Sequence, residues 1–305
     1  MKETYILERV HSQKTWVNHK LEEALSSEHL VPSFSRTAAR LCTLVNDPNV
    51  EMDKIIEVIS LDPGLVARFL KAASSAVAGG NRHSSIDEAV FRLGLKEIRR
   101  IALTVGVMGQ FSHLRVKVDW SRFWLHSILV ARLTERLAMG FREPTGHEYL
   151  SGLVHDIGKL VIEHSFPREF ETIYLRAMER KCGHQKLEFD LLGTDHSQIG
   201  ASICEQLQLH PHIISAVRYH HQPDDVHHTQ EPGGDGGFLA ACVAVANAMA
   251  NRAQINIDGA DQTFGMEFEE LPEWQFLNQF EMSYGLEVDT EEECALALAD
   301  LQGLN

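Results

Sequence analysis

The feature that most restricts this chain is a set of titratable side chains on helix faces that are otherwise apolar. His126 shares a stripe with Phe123, Val130, Leu133 and Leu137. Asp156 lies with Leu153 and Leu160 and directly follows His155. His196 aligns with Ile199, Ile203 and Leu207, and the pair His220-His221 closes a stripe containing Ile213, Ile214 and Val217. A polar group carried out of water costs a few kcal/mol unless something replaces its hydrogen bonds. One such histidine is most simply a core ring bonded to a backbone carbonyl. Five histidines and an aspartate aimed inward from four helical segments would leave one another unsatisfied. A divalent cation accepts neutral imidazole and carboxylate together and resolves that conflict. Facing helices of a bundle are a known place for such a site.

The rest of the chain supports an all-α fold. No long alternating run of β-branched and aromatic residues is present, and no Asn-Gly or Asp-Gly turn separates two apolar runs. From Asp53 to Ala72, residues Ile56, Ile59, Leu65, Phe69 and Leu70 recur at helical spacing. Asp62-Pro63-Gly64 breaks that run, with Asp62 placed to cap a new helix and Pro63 at its first position. Asn81 to Ser85 follows Gly79-Gly80 and reads as a loop before a helix starting near Ile86. Lys96 to Val107 resumes an apolar helix after Gly94. The pattern turns polar and mixed between Ser112 and Asp119. This gives an N-terminal helical subdomain over 1–115, a helical bundle carrying the site over 116–254, and an acidic extension over 255–305. A loop is expected at Asp224 to Gly237, and short helices at Leu271 to Met282 and Glu291 to Leu301.

Composition narrows the function. With 28 Lys and Arg against 43 Asp and Glu, the 305-residue chain carries a formal charge of −15. Its average field repels phosphate backbones and anionic membranes, so nucleic-acid binding is not expected. Cys42, Cys182, Cys204, Cys242 and Cys294 are odd in number and never form CxxC, which argues for free thiols in a cytoplasmic setting. The longest apolar stretch, Phe238 to Ala250, is shorter than the roughly 20 residues that span a bilayer. No basic and apolar leader opens the sequence, so no membrane role is expected.

Within GLVHDIGKL, His155 and Asp156 are read as consecutive helix residues, which differ in direction by about a hundred degrees and so can approach a pair of metals from two sides. A carboxylate can bridge two metals, and a two-metal centre activates water for attack on a phosphoester. Lys159, one turn on, is placed either to reach a phosphate oxygen or to sit as a solvated surface lysine. His83, His164, His184, His227 and His228 lie in polar or loop-like contexts and read as surface residues. His210 and His212 flank Pro211 at a turn. Trp124 reads as a core aromatic.

The series His126, His155-Asp156, His196, His220-His221 and Asn247 resembles the HD superfamily pattern. Trp124-Leu125-His126-Ser127, GLVHDIGKL, DHSQIGASI and RYHHQP resemble its HDOD (HD-related output domain) branch in particular. So do VPSFSRTAARL, the Asp62-Pro63 turn and SSIDEAVFRLG in the N-terminal half. The resemblance runs from about Val31 to Ala250 and implies an HD-domain-like helical bundle with an additional N-terminal helical subdomain. It implies metal ligands at His126, His155, Asp156, His196, His220, His221 and Asn247, with Asp156 and Lys159 as the catalytic candidates.

Two departures qualify that implication. Asn247 stands where catalytic members carry an aspartate, and no Gly-Tyr-Pro segment follows His220-His221, so cyclic-di-GMP hydrolysis is not implied. The resemblance therefore implies a signal-transduction module with a retained metal site, weakly catalytic or non-catalytic, that contacts protein partners. The alternative is a metal-dependent phosphohydrolase acting on a nucleotide or other small phosphoester. One or two divalent ions per chain are expected, with iron, manganese, zinc and nickel equally compatible.

Overall fold

The computed structural model describes residues 20, 40, 44, 50–61, 66–67, 69–71, 86–222, 235–255 and 271–304. The Asp62-Pro63-Gly64 turn, the loop at 81–85, His83, Cys42, His227 and His228 lie outside the described residues, as does most of VPSFSRTAARL. Twelve helices and no strand occur among the described residues. They are α1 (Met52–Ser60), α2 (Ile86–Phe111), α3 (Trp120–Phe141), α4 (Glu148–Val154), α5 (Ile157–Ser165) and α6 (Pro167–Arg180). They continue with α7 (His184–Leu192), α8 (His196–Gln206), α9 (Pro211–Tyr219), α10 (Asp235–Arg252), α11 (Pro272–Leu277) and α12 (Thr290–Leu304).

α3 is the axis of the molecule. Phe123, Trp124, Ile128, Leu129, Val130, Leu133 and Leu137 are all fully buried, because α4, α10 and α12 cover different sides of the helix. A helix with so wide an apolar surface must be covered from several sides, and only its polar edge, with Arg122 and Arg136, stays exposed. The Asp119 side chain caps it by accepting from Arg122 N at 3.1 Å. Before that cap, the polar stretch 112–119 is non-helical and is pinned by the buried Glu163 carboxylate, which accepts from Lys117 N and, at 3.0 Å, from Val118 N. α2 is interrupted at Gly94, whose φ of 73° is a conformation side chains resist.

His155 and Asp156 sit at a break between α4 and α5 rather than inside one helix. The apolar stripe runs on across the break, so periodicity does not reveal it. Two glycines bring the surrounding helices close. A Cβ on Gly152 would lie 2.6 Å from Ala131 Cα on α3, and a Cβ on Gly158 would lie 2.0 Å from the His196 carbonyl oxygen that opens α8. These contacts seat α4 on α3 and α5 on α8, and both seams carry candidate ligands.

The acidic C-terminal stretch is part of this packing. α12 lies along α3, where the buried Arg132 donates Nε to Glu293 at 2.8 Å and Nη1 to Asp300 at 2.9 Å. Arg100 of α2 donates Nε to Glu135 of α3 at 3.0 Å, and Thr104 of α2 meets Tyr149 of α4 at 2.9 Å. A guanidinium removed from water needs such fixed carboxylates.

Replacing Gly158 with alanine forces backbone against backbone. Gly158→Ala is therefore expected to lower stability by about 1–3 kcal/mol, read by thermal unfolding. A variant that melts with the parent would show that α5 does not approach α8 this closely.

Candidate metal centre

The Asp156 carboxylate is the hub of the inward-facing residues. Its Oδ2 lies 2.8 Å from Lys159 Nζ, 3.3 Å from His155 Nε2 and 3.7 Å from His126 Nε2. Its Oδ1 lies 3.2 Å from His196 Nε2 and 3.9 Å from His220 Nε2. His221 Nε2 stands 2.8 Å from His196 Nε2. The ligating atoms thus form two groups, His126 with His155 and Asp156, and His196 with His220 and His221. Each oxygen of the one carboxylate faces a different group.

The outward-facing ring nitrogens decide what the inward-facing ones can do. Nδ1 of His126 lies 2.6 Å from the Ile255 carbonyl oxygen, Nδ1 of His155 2.7 Å from that of Gly152, and Nδ1 of His220 2.7 Å from that of Val217. A carbonyl only accepts, so each Nδ1 carries the proton, and in the neutral ring Nε2 turns a lone pair inward. His155 Nε2, His220 Nε2 and Asp156 Oδ1 have no hydrogen-bond partner among the described residues, although all three are sealed from solvent. Lone pairs facing lone pairs in a dry interior require a cation, and orientation of a ligating histidine through its second nitrogen is how such rings are usually held. The donor set fits a divalent metal.

The electrostatics agree with that chemistry. Burial pushes His126 down to about 4, reinforced by the nearby His155, and burial likewise holds His220 and His221 well below the usual histidine range. Burial would raise the Asp156 carboxyl, but the His155 ring and the Lys159 ammonium overcome it and keep the group well below its ordinary value. Neutral imidazoles around an ionised carboxylate are the protonation states a metal requires. His196 differs. Burial works against its charge, yet the Glu188 carboxylate, 2.6 Å from its Nδ1, raises it to about 10. To hold a metal through Nε2, His196 would keep its remaining proton on Nδ1, against Glu188.

The HDOD domain profile matches residues 31–223, well over half of the chain. The chain belongs to the HDOD domain family. An HDOD domain protein of unknown function from Geobacter sulfurreducens shares the fold with a TM-score of 0.73 at 24% identity, covering 93% of each chain. A protein from Marinobacter aquaeolei VT8, named as a candidate signal transduction protein, shares it with a TM-score of 0.69 at 22% identity over 95% of this chain and 66% of that one. An uncharacterised protein of Treponema pallidum (strain Nichols) is 26% identical over 226 residues, or 71% of this chain. This HDOD chain spans 41% of that relative's length.

The structure brings together His126, His155, Asp156, Lys159, His196, His220 and His221. Lys159 is neither solvated nor directed at an open cleft, because it is buried and ion-paired with Asp156. Asn247 is half-buried on α10, and its Oδ1 accepts from Asn251 Nδ2 at 3.3 Å, one turn along the same helix. His184 is buried against the rings of Phe170 and Tyr174 rather than lying at the surface. His210 and His212 group with His147 at the start of α9, with His147 and His210 stacked at 4.1 Å.

Two contributors carried no clear sequence signal. Glu188 sits in an unremarkable amphipathic run on α7, yet its fully buried carboxylate accepts from His196 N at 2.8 Å as well as holding the ring. Ile255 contributes only a backbone oxygen. Loss of the Glu188 charge is expected to weaken metal affinity about 10–100-fold in Glu188→Gln, measured by competition with a chromophoric chelator. Unchanged affinity would reduce Glu188 to a packing role.

Proposed function

We propose that this HDOD protein is a signal-transduction module whose buried histidine-carboxylate centre holds a divalent metal and has weak or no hydrolytic turnover. The observation that carries this reading is the enclosure of the hub. His155 and His196 are 0% exposed, Asp156 and His220 1%, and His126 and Lys159 2%. Only His221, half-buried at the end of α9, meets solvent, so a phosphoester reaches the other groups of the hub only if the helices part. Two clefts, of about 550 and 650 Å³, are lined by other residues. The first lies among Lys117, Glu163, Phe170 and Tyr174, and the second among Met249, Trp274 and Leu286.

When bound, a divalent ion supplies positive charge that neutralises Asp156 and polarises whatever oxygen it touches. The chain's own residues do the rest. His126 ties α3 to the segment after α10 through Ile255, His155 and Asp156 fix the α4–α5 junction, His196 opens α8, and His220 and His221 end α9. Such a centre holds separate helices in one arrangement, which suits a platform that presents a shaped surface to protein partners. Among the described residues four cysteines are free, two of them buried, which fits a reducing cytoplasmic setting. No helix among the described residues is long and apolar enough to cross a membrane.

A metal-dependent phosphohydrolase acting on a nucleotide or other phosphoester is the second reading. It is favoured by the one carboxylate that faces two ligand groups, an arrangement suited to paired metals. The two readings separate on turnover of a simple phosphodiester, bis(p-nitrophenyl) phosphate, by protein supplied with manganese, iron or zinc. The signalling reading expects a rate no greater than that of Asp156→Ala. A rate more than about 100-fold above that variant would establish the phosphohydrolase.

A further inference from the structure

The two sides of the Asp156 carboxylate are not equivalent. Oδ2 already has a cation, because Lys159 Nζ donates to it at 2.8 Å. Among the described residues, Lys159 is the one non-histidine cation paired with Asp156. It follows Asp156 by three residues in the first turn of α5 and is 2% exposed, so it has no solvated position into which it can readily swing. Among the described residues, Oδ1 faces the rings of His196 at 3.2 Å and His220 at 3.9 Å, which can serve as metal ligands once neutral, whereas the paired ammonium cannot while it stays charged.

We propose that Lys159 is the resident counter-ion of the Oδ2 side, so that the protein takes one divalent cation, on His196, His220, His221 and Asp156 Oδ1, and the His126–His155 side takes none. This rests on the metal-centre reading above and adds to it the number and place of the ions.

The chemistry of the two sides supports the difference. An ammonium carries three N–H donors and no acceptor. That of Lys159 satisfies Oδ2, and the Nε2 atoms of His155 and His126 lie 3.3 and 3.7 Å from that same oxygen, so a metal placed among them would stand beside the ammonium. A divalent ion on the Oδ2 side would have to share one carboxylate oxygen with a tethered positive charge in a dry site. Asn247 adds no anion, and its amide oxygen is engaged by Asn251. On the Oδ1 side, His196, His220 and His221 form a three-imidazole group, Asp156 Oδ1 lies 3.2 Å from His196 Nε2 and 3.9 Å from His220 Nε2 and so can add a fourth donor, and Glu188 behind His196 supplies a compensating negative charge.

The test is metal content by elemental analysis after loading with manganese or zinc and exhaustive dialysis. The variants are Lys159→Met, His126→Ala, His220→Ala and the double variant Lys159→Met with His126→Ala. The parent is expected to keep about one equivalent per chain, His126→Ala the same, and His220→Ala less than about a tenth of that. Removing the ammonium is expected to raise occupancy to about two equivalents in Lys159→Met, and the double variant to return to about one.

A folded Lys159→Met that stays at one equivalent would overturn the proposal, as would a parent that binds two. If Lys159→Met does not fold, His126→Ala decides, because loss of the parent's metal in that variant contradicts a single site on the other side. A parent that binds no metal rejects the metal centre itself, whereas a parent with two rejects only the role given to Lys159.

Discussion

Everything around the centre of this protein follows from one buried carboxylate. Asp156 keeps its charge in a dry interior because Lys159 and the surrounding rings favour the ionised form over burial. An isolated carboxylate there would be several kcal/mol too costly to keep, so the residues that compensate it must arrive together. They come from α3, the α4–α5 junction, α8 and the end of α9. The cluster and the helical arrangement are therefore one structural problem with one solution.

The packing shows how that solution is reached. Gly152 and Gly158 remove the side chains that would hold α4 from α3 and α5 from α8. Ring orientation is then set from behind by the carbonyl oxygens of Gly152, Val217 and Ile255 and by the Glu188 carboxylate. Ile255 lies just past α10, so a histidine at the centre of the molecule is steered by backbone beyond the bundle. α12 adds a second set of buried charges through Arg132, Glu293 and Asp300. The acidic residues of the C-terminal extension are in part the partners of a buried arginine.

How much was legible in the sequence follows from what each feature depends on. Helical periodicity is local, so the all-α class and the order of the helices could be read directly. The inward residues were visible because a histidine interrupting an apolar stripe is conspicuous against its neighbours. The α4–α5 break was not visible, since its stripe continues through His155 and Asp156. Glu188 and His184 were missed for the opposite reason, because polar residues in amphipathic runs look solvated until another helix covers them. Lys159 stood evenly between surface and site, and only the packed structure shows it enclosed and paired with Asp156.

The most direct test of a histidine-carboxylate centre is the metal-edge X-ray absorption spectrum of the purified, metal-loaded protein. A metal held as proposed gives a nitrogen and oxygen shell at about 2.0–2.2 Å with the multiple scattering of about three imidazoles and no sulfur. A sulfur-containing shell, or a hydrated ion without imidazole scattering, would contradict it.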